Sequence, residues 1–281
     1  MKALKSEGLK PIFYCMKKRR KMPELPEVET LCDQLKQVIL DTEIQGIDII
    51  DPKLEMANDI KGRKIVAVIR RGKAVEMQLD NDNKVLLHLR MTGRLLWQTD
   101  YRDLPAHTRF TIDFSHGRLV FIDPRRFGIL TAIQDRDTGR VFIEDPSRNC
   151  SAKRIMEIAG NRKTPIKSFL MDQRMIAGIG NIYACEILYA ASVDPRRKAC
   201  SLSQKEWKGV AEASERILRR AIVCRGTTIS DWRDLFGRKG EYQHELRVYA
   251  QNGNPCPKCH GAIQRMRLSG RGTYFCPSCQ K

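Results

Sequence analysis

The chain has no apolar run that approaches the roughly 20 residues of a transmembrane helix. Its first residues also make a poor signal peptide, because Lys2, Lys5 and Lys10 interrupt the apolar stretch that would precede a cleavage site. Acidic residues are scarce, with 33 against 51 basic residues. These shortages argue against a membrane protein and against a secreted one, and we expect a protein of the cytoplasm.

The excess of basic residues is not confined to one tail. Residues 1–22 carry a formal charge of +7, and the rest of the chain still carries +11 of the total of +18. A basic body of this size indicates a polyanionic partner, most often nucleic acid. A basic protein that is merely soluble is the alternative.

Six of the ten cysteines lie scattered through ordinary segments, as reduced and mostly buried thiols do in a reducing compartment. The other four form two Cys-x2-Cys pairs separated by sixteen residues. Two close pairs of thiolates suit one tetrahedral Zn²⁺, so we predict a single structural zinc ion bound by Cys256, Cys259, Cys276 and Cys279. An iron–sulfur site is the less favoured alternative, and His260 is expected to be a bystander.

The cysteine module is also basic, since it contains Lys258, Arg265, Arg267 and Arg271. The run Arg271–Phe275 resembles a hairpin, and a zinc-held hairpin rich in arginine suits contact with phosphates. A purely structural clip is the alternative.

Ahead of this module the pattern predicts two domains. A helical period begins at Glu27, and short runs rich in alternating apolar residues then predict strands at 64–69, 74–79, 84–89, 110–114 and 118–122. The polar stretch 134–164 is expected to be the interdomain linker. Beyond it the spacing of apolar residues predicts helices, one of which opens with a capping box at Ser203–Glu206. We therefore predict an α+β multidomain protein with a β-sandwich or barrel at 23–150, a helical domain at 151–245 and the zinc module at 246–281.

Met22 is followed by Pro23, and removal of Met22 would make proline the first residue. A free N-terminal proline is a secondary amine with a pKa near 8, and such an amine can attack a sugar carbon and form an iminium ion. While residues 1–22 are attached, the nitrogen of Pro23 is an amide and cannot form that ion. We therefore expect this extension to be absent from the mature protein.

Three turns carry residues suited to nucleic acid. Gly178–Asn181 permits close approach of the backbone to a phosphate at a helix N-terminus, although a plain turn between helices is as good an explanation. Asp123–Gly128 follows a strand and contains two arginines and Phe127, which could wedge into a base step or pack in the core. Arg90–Arg94 is a similar turn, in which Met91 is ordinarily a core residue.

Together these segments resemble those of bacterial formamidopyrimidine-DNA glycosylases. The runs Pro23–Thr30, His88–Gly93, Asp123–Gly128 and Gly178–Ala184 occur in order before the cysteine module, so the resemblance extends from Met22 to Lys281. It implies a β-sandwich domain, a helix–two-turn–helix domain and a zinc-finger hairpin, with double-stranded DNA in the cleft between domains. It also implies a monomer that excises oxidised purines and then cleaves the abasic strand.

The resemblance further implies roles for single residues. Pro23 is expected to be the Schiff-base nucleophile and Glu24 the acid–base group that helps to open the sugar. Lys73 is expected to act near the lesion phosphate and in β-elimination, and Arg271 in phosphate binding and δ-elimination. The implied DNA contacts, which include the residues that fill the space left by the extruded base, are Met91, His107, Arg125, Phe127, Arg162 and Asn181.

The chain departs from the family pattern in three places. The linker has Glu144–Ser147 where a Gly-Pro-acid-Pro-Leu run is usual, Arg225 stands where many relatives have glycine, and Gly237–Tyr242 differs in the loop that covers the flipped base. Two alternatives stay open. An enzyme similar to endonuclease VIII would act on oxidised pyrimidines, and a chain that keeps its extension would be a non-catalytic zinc-ribbon DNA-binding protein.

Overall fold

The structure, a computed structural model, describes residues 22–54, 60–101, 103–133, 145–147 and 151–281. It has the predicted α+β multidomain architecture: a helix and eight strands, then a helical domain, then a small hairpin module. The prediction for residues 1–21 lies outside the described residues.

Helix α1 spans Leu25–Ile39 and begins two residues before the predicted start. Pro26 lies in its first turn, where the missing amide hydrogen is harmless and the fixed φ suits a helix. The apolar face that includes Val28, Leu31 and Leu35 is fully buried against the strands. This helix therefore joins the N-terminal segment firmly to the β domain.

Eight strands form two antiparallel sheets. The strands are β1 (Gly46–Ile49), β2 (Ile65–Arg71), β3 (Ala74–Leu79), β4 (Lys84–His88), β5 (Arg94–Gln98), β6 (Thr108–Phe114), β7 (Gly117–Ile122) and β8 (Ile129–Ile133). The sheet orders are β1-β6-β7-β5 and β2-β3-β4-β8, and one apolar cluster contains residues of both sheets, as a β-sandwich requires. The five predicted strands are present, whereas β1, β5 and β8 were not predicted.

The helical domain contains α2 (Ala152–Ala159), α3 (Ile166–Leu170), α4 (Asn181–Ala190) and α5 (Gln204–Val223). The predicted capping box opens α5: Glu206 N donates to Ser203 Oγ, and Ser203 N donates to Glu206 Oε2 at 2.7 Å. The predicted linker is wrong in part, because α2 lies inside it. Its apolar face, with Ile155 and Ile158, is buried in the helical core. Residues 134–144 and 148–150 of that linker lie outside the described residues.

The C-terminal module contains strands β9 (Gln264–Leu268) and β10 (Arg271–Phe275). The prediction of a hairpin within Arg271–Phe275 was wrong: this run is a single strand, and the chain turns at Ser269–Gly270. Ser269 and Gly270 both have positive φ, which is the conformation of a tight turn. None of the helices in the described ranges combines the length and the apolar character needed to cross a bilayer.

Among the described residues, apolar side chains cross between the domains in both directions. Leu25, at the start of α1, packs in the core of the helical domain, and Leu235, from the loop after α5, packs in the core of the β domain. Leu235 O also accepts a hydrogen bond from Trp97 N on β5 at 3.0 Å. Pro23 and the loop after α5 therefore meet where the two domains touch.

Candidate active site

The N-terminal segment of α1 fits against the N-terminus of α4. Glu24 is buried, and its carboxylate accepts hydrogen bonds from Ile182 N at 2.9 Å and Tyr183 N at 3.3 Å. Exposed amides and the helix dipole make a helix N-terminus a favourable place for a negative charge. This contact holds the carboxylate one residue from Pro23.

The glycines of the turn before α4 make room for this segment. A β-carbon on Gly180 would lie 2.2 Å from the carboxyl carbon of Glu24, and one on Gly178, whose φ is +95°, would lie 2.7 Å from Leu25. These glycines thus make room for Glu24 and Leu25 in this structure, and the hypothesis that they admit a phosphate to the helix N-terminus stays a prediction. The amides of Ile182 and Tyr183 already bind the protein's own carboxylate.

Glu27 forms a second buried acidic group behind Pro23. It accepts hydrogen bonds from Thr227 N and Tyr183 Oη, each at 2.7 Å, and from Glu24 N at 2.8 Å. Burial and the nearby Glu24 raise its pKa to about 7. The sequence analysis assigned no role to Glu27. The signal that could have found it is its position, since it is the second acidic residue within four residues of Pro23.

A pocket beside Pro23 separates it from the loop after α5. Its other lining residues are Met22, Glu27, Ile182, Thr227, Ile229, Ser230 and Trp232. Met22, the last residue of the predicted extension, thus occupies part of the space next to the predicted nucleophile.

Lys73 approaches the same region from the turn between β2 and β3. Burial lowers its pKa, the Arg271 charge lowers it further, and the Glu24 carboxylate acts in the opposite direction. Three of the four predicted catalytic groups, Glu24, Lys73 and Arg271, therefore interact electrostatically although they come from different modules. Arg70 holds the turn, since its guanidinium is buried, pairs with Glu29 and Asp145, and donates to Gly72 O at 3.1 Å.

The zinc module docks on this site through Asn181. Its amide nitrogen donates to Gly272 O at 3.0 Å, and its amide oxygen accepts from Lys167 Nζ at 2.6 Å. Lys167, which sequence reasoning missed, is buried and also donates to Thr273 Oγ1 at 2.8 Å. Its surroundings lower its pKa, chiefly through burial. In this structure Asn181 fastens β10 to α4, and Arg271 at the start of β10 is exposed beside it.

Met91, Arg125 and Phe127 come together on the surface of the β domain. Arg125 Nη1 donates to Met91 Sδ at 3.3 Å, and its guanidinium carbon lies 4.5 Å from the centre of the Phe127 ring. Met91 and Phe127 are both exposed. The alternative interpretation, that each packs in the core, is therefore wrong. The buried Asp123 fixes both turns, because it accepts from Phe127 N at 2.8 Å and is bonded to Thr92.

The two remaining predicted DNA contacts lie at other points on the surface. His107 is exposed and has a φ of +67°, and its carbonyl accepts from Asp123 N at 3.0 Å. Arg162 is exposed, but its guanidinium is bonded to the carbonyls of Ile158 and Ala159 at the end of α2. In this conformation Arg162 stabilises a helix C-terminus.

Cys256, Cys259, Cys276 and Cys279 form a sulfur cluster, with all four Sγ atoms within 4.8 Å of one another. Within the part of the chain that the structure describes, it is the only such group, and His260 is not part of it. The separations are 3.8 Å for Cys256–Cys279 and 3.5 Å for Cys259–Cys276. Zn–S bonds of about 2.3 Å in a tetrahedron place the sulfurs about 3.8 Å apart, so the cluster fits a zinc ion.

Fold and site together define an enzyme that processes DNA, because a basic two-domain protein with a docked zinc finger gathers acidic and basic groups at the seam between its modules. Comparison with known proteins specifies the family. Residues 22–130 match the formamidopyrimidine-DNA glycosylase N-terminal domain, 143–232 the H2TH domain of these glycosylases, and 253–281 a zinc finger found in FPG and IleRS.

Relatives cover nearly the whole chain. A formamidopyrimidine-DNA glycosylase of Heliobacterium modesticaldum is 38% identical over 277 residues, which are 92% of this chain and 100% of that protein. The Lactococcus lactis Fpg bound to DNA with an abasic site aligns with a TM-score of 0.85 at 30% identity, over 92% of this chain and 99% of that one. The same L. lactis protein bound to DNA with an oxidised pyrimidine aligns with a TM-score of 0.84 at 29% identity, over 92% and 100% of the two chains. This chain belongs to the formamidopyrimidine-DNA glycosylase family of DNA repair enzymes.

Proposed function

We propose that the mature enzyme begins at Pro23 and is a bifunctional DNA glycosylase and abasic-site lyase that uses the Pro23 amine as its nucleophile. The observation that carries this proposal is the arrangement around Pro23. The Glu24 carboxylate is held by the α4 N-terminus, the Lys73 ammonium interacts with it, and a pocket opens beside the proline.

The residues suit the following steps. The Pro23 nitrogen bonds to C1′, the bond from C1′ to the base breaks, and the base leaves with that electron pair. The Glu24 carboxylate takes the proton from the Pro23 nitrogen. The nitrogen lone pair then expels the ring oxygen, which receives that proton from Glu24, and an iminium ion forms. Removal of a C2′ proton then expels the 3′ phosphate, and a second elimination expels the 5′ phosphate, for which Lys73 and Arg271 supply positive charge.

Removal of residues 1–22 is part of this proposal. An acylated Pro23 nitrogen has no lone pair available for attack, and Met22 lines the small cavity of about 20 Å³ beside Pro23. If the extension were retained, the chain would bind DNA without this chemistry, as the non-catalytic alternative requires. Sequencing the N-terminus of the protein from its own cells separates the two possibilities.

We propose oxidised purines, including 8-oxoguanine and formamidopyrimidines, as substrates in double-stranded DNA. The exposed cluster of Met91, Arg125 and Phe127 supports this choice, because it can fill the gap left by an extruded base and test the base opposite. The second candidate is the excision of oxidised pyrimidines, which gains weight from the L. lactis relative bound to such DNA. The proposal also includes His107 and Arg162 as DNA contacts, one structural zinc ion, a monomeric enzyme and action in the cytoplasm.

Borohydride trapping tests the proposal. Protein that begins at Pro23 should form a covalent complex with duplexes that contain 8-oxoguanine opposite cytosine, and trap less on duplexes with an oxidised pyrimidine. Pro23→Gly should retain some trapping because glycine still offers an amine. Undiminished trapping by the 281-residue chain, confirmed intact by mass spectrometry, would exclude Pro23 as the nucleophile.

A further inference from the structure

The loop between α5 and the short 3-10 helix at Tyr242–Glu245 forms one wall of the pocket beside Pro23. Thr227, Ile229, Ser230 and Trp232 all belong to this loop and line that pocket. If Pro23 attacks C1′, the base bonded to that carbon must lie close to the proline nitrogen and therefore close to this loop. The cavity holds only about 20 Å³ while Met22 lines it, so the removal of Met22 and the position of this loop together set the room available to a base.

The far part of the loop is anchored to the β domain. Asp234 is fully buried, and its carboxylate accepts from Gln34 Nε2 on α1 at 2.8 Å and from Arg238 N at 2.8 Å. The other side of the same glutamine amide accepts from Leu235 N at 2.9 Å. Because a buried carboxylate loses its hydration, these bonds to its oxygens are costly to break.

Arg225 ties the two ends of the loop together. Its Nη2 donates to Glu241 Oε1 at 2.5 Å, its Nε lies 3.9 Å from Asp234 Oδ2, and its carbonyl accepts from Trp232 Nε1 at 3.1 Å. The φ of Arg225 is +56°, a region that arginine adopts only with strain and that glycine adopts without it. Among the described residues, Arg225 Nε is buried without a hydrogen-bond partner, so the pair with Glu241 and the bond from Trp232 are the contacts that oppose this strain.

We propose that Gln34, Arg225, Asp234 and Glu241 form a clasp that holds the base-pocket loop in place before DNA binds. They are positioning residues, and they act on base selection through Ile229, Ser230 and Trp232. A loop that is already ordered loses less conformational entropy when the lesion enters. This inference rests on the proposed function, since it assumes that the damaged base enters the pocket beside Pro23.

Hydrogen exchange of the DNA-free protein tests the clasp without any activity measurement. Arg225→Asn is the informative variant, because asparagine tolerates positive φ, lacks the guanidinium and does not add the backbone freedom of glycine. Amides of residues 227–238 should exchange up to about fivefold faster, because an ion pair as exposed as that of Arg225 and Glu241 contributes only modestly to stability.

Glu241→Gln should have a similar effect, and the double variant should exchange no faster than Arg225→Asn alone. Lys239→Ala, an exposed change in the same loop, is the matched control. Exchange equal to wild type in Arg225→Asn would overturn the clasp.

Kinetics on two substrates connects the clasp to base selection. An abasic site has no base to place in the pocket, so trapping on abasic DNA by Arg225→Asn should match wild type. Excision of 8-oxoguanine should show a KM raised by up to about fivefold, with a much smaller change in kcat, because the loop must now order on binding. An equal loss on both substrates would overturn base positioning by the clasp. Absence of trapping on any DNA by protein that begins at Pro23 would instead contradict the proposed function.

Discussion

Gly180 shows how a single hydrogen atom decides the position of a carboxylate. Any side chain at this residue would overlap the carboxyl group of Glu24, which lies directly against the α4 N-terminus. Gly209, in the middle of α5, faces no atom within 4 Å of the place where a β-carbon would lie. A methyl group at Gly180 would therefore displace Glu24, whereas one at Gly209 would meet open space.

We expect Gly180→Ala to lower excision and trapping by about 100-fold or more, because general acid–base groups contribute rate factors of this size and Glu24 would be displaced. The added methyl group should also cost on the order of 1–3 kcal/mol of stability through overpacking. Gly209→Ala should leave activity unchanged. Single-turnover excision and thermal unfolding measure the two effects, and full activity in folded Gly180→Ala would refute the role given to Glu24.

Individual site residues were predictable where their chemistry is local. The paired cysteines were recognisable because their spacing defines the site, and their sulfurs do cluster. The roles of Pro23 and Glu24 stay predictions, the first drawn from the chemistry of an N-terminal proline and the second from the family resemblance. Lys167 was not, since its partners Asn181 and Thr273 come from other elements and only the fold brings them together. The αL conformation of Arg225 was equally invisible, because its partners lie up to sixteen residues away.

At the scale of elements, the zinc module is attached to the helical domain at both ends. Asn181 and Lys167 hold the β10 end, and near the cysteines Tyr189 Oη lies 3.3 Å from Cys256 Sγ. Gln280 Nε2 adds a bond to Val193 O at 2.8 Å. Since a module of this size cannot bury a core of its own, the metal and these contacts together fix β10.

Metal analysis should find one tightly bound Zn²⁺ per chain. Cys276→Ser should unfold the finger and abolish lesion binding while the β domain stays folded, because the β-domain core contains no residue of the module. Cys200→Ser, at an exposed cysteine outside the cluster, should bind zinc and DNA as wild type does. Iron in place of zinc, or an active preparation without metal, would contradict this prediction.

Elements were predictable where apolar residues alternate or recur clearly. Strands β3 and β4 and helices α1 and α5 were found for that reason, whereas β1 and β5 were missed because half-exposed strands carry a weak apolar signal. Helix α2 was missed because it is only eight residues long and follows a polar, charged stretch, and tertiary packing of Ile155 and Ile158 selects the helix. The hairpin was misplaced at 271–275, because the residues of its first strand, Gln264–Leu268, were not recognised as a strand.

The whole molecule arranges its charge so that separate modules act on one ligand. Lys73 comes from the β domain, Lys167 from the helical domain and Arg271 from the zinc module. Burial lowers the pKa of both lysines, and the Arg271 charge lies close enough to lower each of them further. Like charges held together cost energy in the free protein, and a bound phosphate backbone removes that cost. DNA binding should therefore depend steeply on salt.

Arg271→Ala should reduce the slope of log Kd against log salt concentration by about one, because one phosphate contact and its released counterion are lost. Arg267→Ala is the matched control. It removes the same charge from the neighbouring strand, where side chains alternate so that Arg267, paired with Gly272, lies on the opposite face from Arg271. Its slope should stay close to that of wild type.

Strand cleavage of bound abasic DNA should also slow in Arg271→Ala alone, since elimination needs the phosphates held in place. If both variants lost the same slope and cleaved at the wild-type rate, Arg271 would contribute only general positive charge, and it would not be part of the site.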